Sequence, residues 1–459
     1  MLDKIFHLSA LEIAKLIKKK EISCSEVVDC LLDRIKKTNH QANAITLVFE
    51  ESARRMASEL DAHKEIDDEK IFYGVPFTIK DNLDFLGVPT TKGLAALKDS
   101  FPTRNDPIVT RLLTAGGIPL GKTNMPEMGM RLDTDNPLFG RTLNPWNRNI
   151  TPGGSSGGEA VALATGMTPF GLGNDIGGSL RNPAYCCGVT SLKPSQGIVP
   201  WSPSIEPIDS GVANLMLTNG PMARTVSDLQ AGLSVIRGRS IYDPDSFDIS
   251  SFPALPTRPR AGFVKRISGF EIPEITLKRI EEAALTLERN GWEIEETSPP
   301  EMNLVFEVWI SILRPLIKSL PLDYFSDKTV KYLKRVTKEA PPFSPADALL
   351  KRRLLRRVWS VFFENYTVLI GPTWCTSPWN IDSDLDSKNG DWTLKQSSIF
   401  IAPGNCLGIP AVALPMESYK GLPTGVQIYA DIFKDHYCLF AAEIIEREFS
   451  RETPIDPKF

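Results

Sequence analysis

The stretch TPGGSSGGEAVALATGMTPFGLGNDIGGSLRNPA, residues 151–184, decides how the rest of the chain is read. Its first half sets Gly153, Gly154, Gly157 and Gly158 around Ser155 and Ser156, which exposes backbone N–H groups and lets other segments come close. A helix is expected to start near Gly158 or Glu159. In the second half, apolar strand residues lead to Asp175 and then Gly177-Gly178-Ser179. Successive glycine N–H groups beside a serine can form an oxyanion hole. A third element lies upstream, where Lys80 ends the apolar segment IFYGVPFTIK (71–80) and is followed by Asp81 and Asn82. Singly, each element has an ordinary structural reading: a tight loop with serine caps, or a strand-end lysine reaching water.

Working outward, strands and helices alternate. Residues 8–66 read as helical, with Ser9 before one apolar-periodic run and Ser23 before another, where Glu26 completes a capping box. DPIVTRLLTAGG (106–117) reads as a helix ending at glycine, and IPLGK as the strand after it. Residues 219–236 read as a helix behind Pro221. Residues 259–298 give a strand, a helix and a strand, RAGFVKR, PEITLKRIEEAALTLERNG and WEIEETSPP. Residues 301–365 read as helix cut by Pro315, Pro321, Pro341, Pro342 and Pro345, and 376–395 as a polar surface loop. YTVLIGP (366–372), AVALP (411–415) and GVQIYA (425–430) read as strands before a final helix, DHYCLFAAEIIEREF. This alternation predicts an α/β fold. No internal repeat or low-complexity linker divides the chain, so one large domain is expected, residues 67–459, with 1–66 packing on it as a helical arm.

Composition narrows the function. Among 459 residues, 52 Lys and Arg face 56 Asp and Glu, a net charge of -4, which argues against a nucleic-acid partner. No apolar run approaches the roughly 18–20 residues needed to span a bilayer, and no secretory signal is visible, so no membrane partner is expected. Seven cysteines at irregular spacing, without C-x-x-C, read as reduced thiols in a cytoplasmic protein. His7, His40, His63 and His436 have no partner at metal-ligand spacing, so no metal is expected.

Two motifs mislead. Residues 116–123, GGIPLGKT, satisfy the phosphate-loop pattern, but a helix precedes them and a strand runs through them, the reverse of the required context. Gly153-Gly154-Ser155-Ser156-Gly157 satisfies G-x-S-x-G, whose mechanism needs a later histidine. Only His436 is available, and it is expected to be an exposed helix-start residue. A serine nucleophile then needs another base. A lysine at its usual value of about 10.4 is protonated at neutral pH. Burial would lower that value.

In this order the three elements closely resemble the amidase signature family, with a Ser-Ser-Gly-Gly core followed by a Gly-Gly-Ser-x-Arg segment. GVPFTIKDN, GKTNMPEMG, NPLFGRTLNPW, SLKPSQGIVP, NGPMARTVSDL, GNCLGIPAVALP and GLPTGVQIYAD extend the resemblance from about residue 8 to 449, with a variable part at 238–400. It implies a central mixed sheet covered by helices on both faces, and amide hydrolysis through an acyl-enzyme without a cofactor. It implies Ser179 as nucleophile, Ser155 as bridge, often after a cis peptide, and Lys80 as base. It also implies an oxyanion hole at Ile176, Gly177, Gly178 and Ser179, a bracing pair Asp175 and Arg181, and a supporting Ser156. Asn174, Ser191 and the doubled Cys186-Cys187 depart from the family pattern at positions expected not to touch the triad.

Met125, Met128, Met130, Trp309, Leu313, Trp374 and Trp379 are candidates for an apolar pocket, with core packing as the competing reading. The partner is then a small-molecule amide; a homodimer is common in similar proteins. Three other functions stay open. One is the glutaminase component of a tRNA-dependent amidotransferase, although its serine-rich stretch before Asp-Gln is absent between 200 and 220. The others are an acyltransferase using the same intermediate and a non-catalytic binding protein.

Overall fold

The structure is a computed structural model and describes residues 2–63, 65, 67–204, 214–449 and 452–459. Part of the segment that distinguishes the glutaminase components, residues 205–213, lies outside the described residues. Helices begin where the serines predict: Ser9 and Ser23 each form a capping box, with Glu12 and Glu26, at the starts of Ala10–Lys18 and Cys24–Ala42. The first of these is pinned to the body by Asp228, whose carboxylate accepts from the N–H groups of Ala10 and Leu11 at 3.0 Å.

Eleven strands form one mixed sheet: β1 (Ile45–Val48), β2 (Pro76–Lys80), β3 (Ile118–Thr123), β4 (Phe170–Asp175), β5 (Thr190–Lys193), β6 (Thr218–Ala223), β7 (Arg260–Phe263), β8 (Glu293–Glu296), β9 (Val368–Pro372), β10 (Ala411–Tyr419) and β11 (Leu422–Tyr429). Their spatial order is β1-β3-β2-β4-β6-β5-β10-β11-β9-β7-β8. Fourteen helices among the described residues pack with it, as the α/β alternation predicts. None is long and apolar enough to cross a membrane.

Four local readings are corrected. The arm 8–66 contains β1, which pairs with β3 through Ile45↔Thr123, so it supplies an edge strand as well as helices. Residues 219–236 are not one helix: Thr218–Ala223 is a strand held between β4 and β5, and the helix is Val226–Ile236. Pro315 sits inside the helix Met302–Lys318, because burial of Val305, Val308, Trp309 and Ile312 outweighs its local cost. The stretch 376–395 is irregular and partly exposed up to residue 389, as read, but it is not a surface loop throughout. It holds buried Asp384 and leads into the helix Gly390–Ser398. Polar composition hid it, because its carboxylates face buried arginines.

The register places the chemistry. β2 runs parallel to β4 with Thr78↔Gly171 and Ile79↔Leu172, so Lys80 ends its strand beside the last residues of β4. Phe77 and Ile79 are fully buried, each contributing about 1.5–3 kcal/mol, and they hold the strand end in place. The decoy Gly121-Lys122-Thr123 is the end of β3, and Lys122 Nζ donates to the Leu83 carbonyl.

Candidate active site

Ser155 and Ser179 line one cavity, and Lys80 reaches Ser155 from the core behind it. Lys80 is wholly buried, and its Nζ lies 2.7 Å from Ser155 Oγ and 2.8 Å from Asn174 Oδ1. Burial pushes its ammonium down to about 7, opposed by the carboxylates of Asp175 and Glu159. Burial in turn pushes the Glu159 carboxyl up to about 8, between the hydroxyls of Thr78 and Thr123.

The Gly154–Ser155 peptide is cis. Close packing explains the glycines here: a Cβ on Gly129 would stand 2.9 Å from Ser155 Oγ. Ser156 supports the loop by its backbone, its N–H donating to the Ser179 carbonyl at 3.1 Å, one residue before the helix Gly157–Ala164.

The turn after β4 is shaped by Asp175. Burial raises a carboxyl, yet the Arg181 guanidinium beside it holds Asp175 well below the usual range. Arg181 donates from Nε to Asp175 Oδ2 at 3.0 Å, and from its other nitrogens to Asn405, Gln427, Tyr429 and the Ile401 carbonyl. The bracing pair is therefore the anchor of the turn to β11 and the helix Ala402–Leu407.

Asp175 also corrects one expected oxyanion donor. Gly178 N–H donates to Asp175 Oδ1 at 2.7 Å and is not free for a substrate. Among the described residues, no hydrogen bond engages the N–H groups of Ile176, Gly177 or Ser179. Gly178 has φ +94, and a Cβ there would meet Asn182 Nδ2 at 2.5 Å, so glycine is required by both conformation and space.

The cavity measures about 680 Å³ and is lined by Ser155, Ser179 and Asn174 at its polar end. Met128, Met130, Trp309 and Leu313 belong to its apolar wall, as expected. Trp309 Nε1 also donates to the Ile176 carbonyl at 3.4 Å, so this wall residue touches the turn that carries Ser179. Trp374 does not line the cavity. It is fully buried, stacks on Trp379 and donates to Asn182 Oδ1 at 2.7 Å, while Asn182 Nδ2 donates to the Gly177 carbonyl at 3.1 Å. Met125 and Trp379 are core residues too.

Sequence reasoning placed Asn174 away from the triad, and the structure puts it on Lys80. Asn82 Nδ2 donates to the same Asn174 oxygen at 3.2 Å. The only signal in the sequence was the departure from the family pattern itself. His436 is half-buried against Phe252 and Tyr437 rather than exposed, and burial lowers its pKa to about 4. It does not contact the cavity.

A second polar cluster supports the cavity wall. Asp133, Asp382 and Asp384 are close enough to share a cation. Arg131 already binds Asp384 at 2.7 Å, Arg141 reaches Asp133 and Asp135, and Lys328 reaches Asp382 at 2.9 Å. The cluster is an ion-pair network tying 376–395 to the segment after Met130. Glu127, also buried, accepts from Ser326 N–H at 3.0 Å and from the hydroxyls of Ser326 and Thr329, holding the start of the wall helix Asp327–Val336.

A buried lysine, two serines and a glycine turn around one cavity define an amide-cleaving class of site, and the comparisons agree. The Amidase family model matches residues 26–439. The chain is 32% identical over 455 residues to an indoleacetamide hydrolase of Bradyrhizobium diazoefficiens, covering 96% of this chain and 86% of that one. It is 31% identical over 500 residues to a subunit of the glutamyl-tRNA(Gln) amidotransferase of Shouchella clausii, covering 98% and 99%. A solved structure of 6-aminohexanoate cyclic dimer hydrolase superposes with TM-score 0.85 at 26% identity, covering 99% of each chain. The chain belongs to the amidase signature family and is an amidase.

Proposed function

We propose that the protein hydrolyses small-molecule amides with Ser179 as nucleophile, Ser155 as proton relay and Lys80 as base. The observation that carries this is the 2.7 Å contact between Ser155 Oγ and a fully buried lysine. Neutral Lys80 takes the Ser155 proton, Ser155 takes the Ser179 proton, and Ser179 Oγ bonds to the amide carbon. The carbonyl oxygen becomes an oxyanion facing the N–H groups of Ile176, Gly177 and Ser179. The relay then runs backward: the Lys80 proton passes through Ser155 to the leaving nitrogen, the C–N bond breaks, and an acyl ester on Ser179 remains. Water attacks that ester through the same relay and releases the carboxylate. Besides substrate and water, each step uses this chain's side chains and N–H groups.

The apolar wall of Met128, Met130, Trp309 and Leu313 favours an aryl or medium alkyl acyl group over a small charged one. A glutaminase component of an amidotransferase remains the second reading, because a relative of that kind aligns over nearly the whole chain. Seven free cysteines are in keeping with a reducing cytoplasm.

Rapid quench with an aryl-substituted amide, followed by intact mass and peptide mapping, tests the scheme. An acyl mass on the Ser179 peptide is expected. Turnover that shows neither acyl-protein at any time nor a hydroxamate product when hydroxylamine is the competing acceptor contradicts it. Glutamine turnover only in the presence of added partner subunits would move the protein to the second reading.

A further inference from the structure

Asn174, near the end of β4, touches the proposed base. We propose that Asn174 is a positioning residue whose uncharged carboxamide oxygen orients Lys80 toward Ser155 while leaving the lysine able to be neutral. The inference rests on the Ser179–Ser155–Lys80 reading.

A neutral amine has two N–H donors and one lone pair. Asn174 Oδ1, 2.8 Å from Nζ, takes one donor and so fixes the ammonium or amine 2.7 Å from Ser155 Oγ, where the neutral form can turn its lone pair to that hydroxyl. The carboxamide orientation is fixed independently, since Asn82 Nδ2 donates to the same oxygen at 3.2 Å. The oxygen therefore faces two donors. The other end of the group, Nδ2, is buried and has no hydrogen-bond partner among the described residues. The amide nitrogen thus contributes no bond that an aspartate would lose. An aspartate of the same shape would keep both acceptor contacts and differ in charge alone.

Charge is the sensitive quantity here. Asp175 faces Lys80 from the end of β4, but Arg181 answers its charge at 3.0 Å. Glu159 faces it from the helix Gly157–Ala164, held between two threonine hydroxyls. Lys92 shares the cavity wall, and Asp81, next in the chain, turns to Thr91. A further, unanswered carboxylate at 2.8 Å would hold Lys80 as ammonium and remove the base at neutral pH. An alkyl group would leave the base neutral but unaimed.

The test measures kcat/KM against pH for the wild type, Asn174→Asp, Asn174→Leu and Asn174→Ser, together with fluorophosphonate labelling of Ser179. In Asn174→Asp the acidic limb is expected to move up by about 1–3 pH units. Its rate at pH 7 then falls about 5- to 500-fold, and recovers toward the wild-type plateau at high pH. In Asn174→Leu the plateau of kcat is expected to fall about 10- to 100-fold at little changed KM, without an upward shift of the limb. Asn174→Ser, a neutral acceptor, keeps the limb where the wild type has it. A limb that stays put in Asn174→Asp, with Ser179 still labelled, overturns this proposal alone. An equal upward shift in Asn174→Ser does the same, and remains readable if the aspartate variant fails to fold. Wild-type Ser179 that is never labelled overturns the triad reading and this inference with it.

Discussion

The two ends of the cavity are built by different rules. At the polar end, backbone carries the geometry: a strand end, a glycine loop with a cis peptide, and a turn whose N–H groups are sorted by Asp175. At the apolar end, the helices Met302–Lys318 and Asp327–Val336 and the segment up to Ser398 are held by side-chain packing, by Glu127 and by the Arg131–Asp384 network. The first end tolerates almost no substitution, because a Cβ or a lost charge has nowhere to go. The second sets interchangeable apolar groups beside charged ones such as Arg314, Arg335 and Lys338. Chemistry is therefore expected to depend steeply on few residues, and substrate choice shallowly on many.

The largest effects test that contrast at the polar end. Ser179→Ala and Lys80→Ala are each expected to lower kcat by a factor of about 10⁴ or more with the fold intact, as for other residues that act as a unit. Circular dichroism and steady-state kinetics check both. Retained activity in Ser179→Ala together with its loss in His436→Ala would restore the serine-histidine reading of the glycine loop.

Next in size is Arg181→Met. It leaves Asp175 buried and unanswered, which costs about 3–5 kcal/mol of stability. A denaturant midpoint that hardly moves would show that the turn does not depend on this pair.

The pH dependence is smaller but more specific. In the proposed scheme the active form of Lys80 is neutral, and burial brings its pKa down to about 7. Activity is expected to fall about tenfold per pH unit well below that point and to level off above it. A profile still rising steeply at pH 9 would mean that the base keeps an ordinary lysine value.

At the apolar end, Met130→Ala and Leu313→Ala are each expected to change kcat/KM for a bulky acyl amide by about 10-fold, mainly through KM, with little effect on a small one. Trp309→Ala should cost more and should lower kcat too, because its indole reaches the Ile176 carbonyl. Equal losses for large and small substrates at all three positions would erase the distinction between the two ends.

The same division explains what the sequence could tell. Ser155, Ser179, Asp175 and Arg181 stood out because glycines, serines and charges at fixed short spacing leave few backbone solutions, whereas Lys80, 75 residues before Ser155, was singled out by the family resemblance. Gly178 was misread as a free donor because spacing does not say which N–H a neighbouring carboxylate will take. The strands at 45–48 and 218–223 were hidden because pairing with distant partners, not periodicity, creates them. The wall was least legible: an apolar residue looks the same whether it faces a cavity, as Met130 does, or a tryptophan stack, as Trp374 does. The polar stretch 376–395 looked solvated because its buried arginine partners lie far away in the chain, Asp384 being 253 residues from Arg131.

The most direct test of a lysine-driven serine is the rate of fluorophosphonate labelling against pH, with the adduct mapped by intact mass and peptide analysis. The account predicts a single adduct on Ser179, a labelling rate that rises with a midpoint near pH 7, and no adduct in Lys80→Ala under the same conditions. Labelling of Ser179 that is equally fast in Lys80→Ala, or an adduct on a different serine, would contradict it.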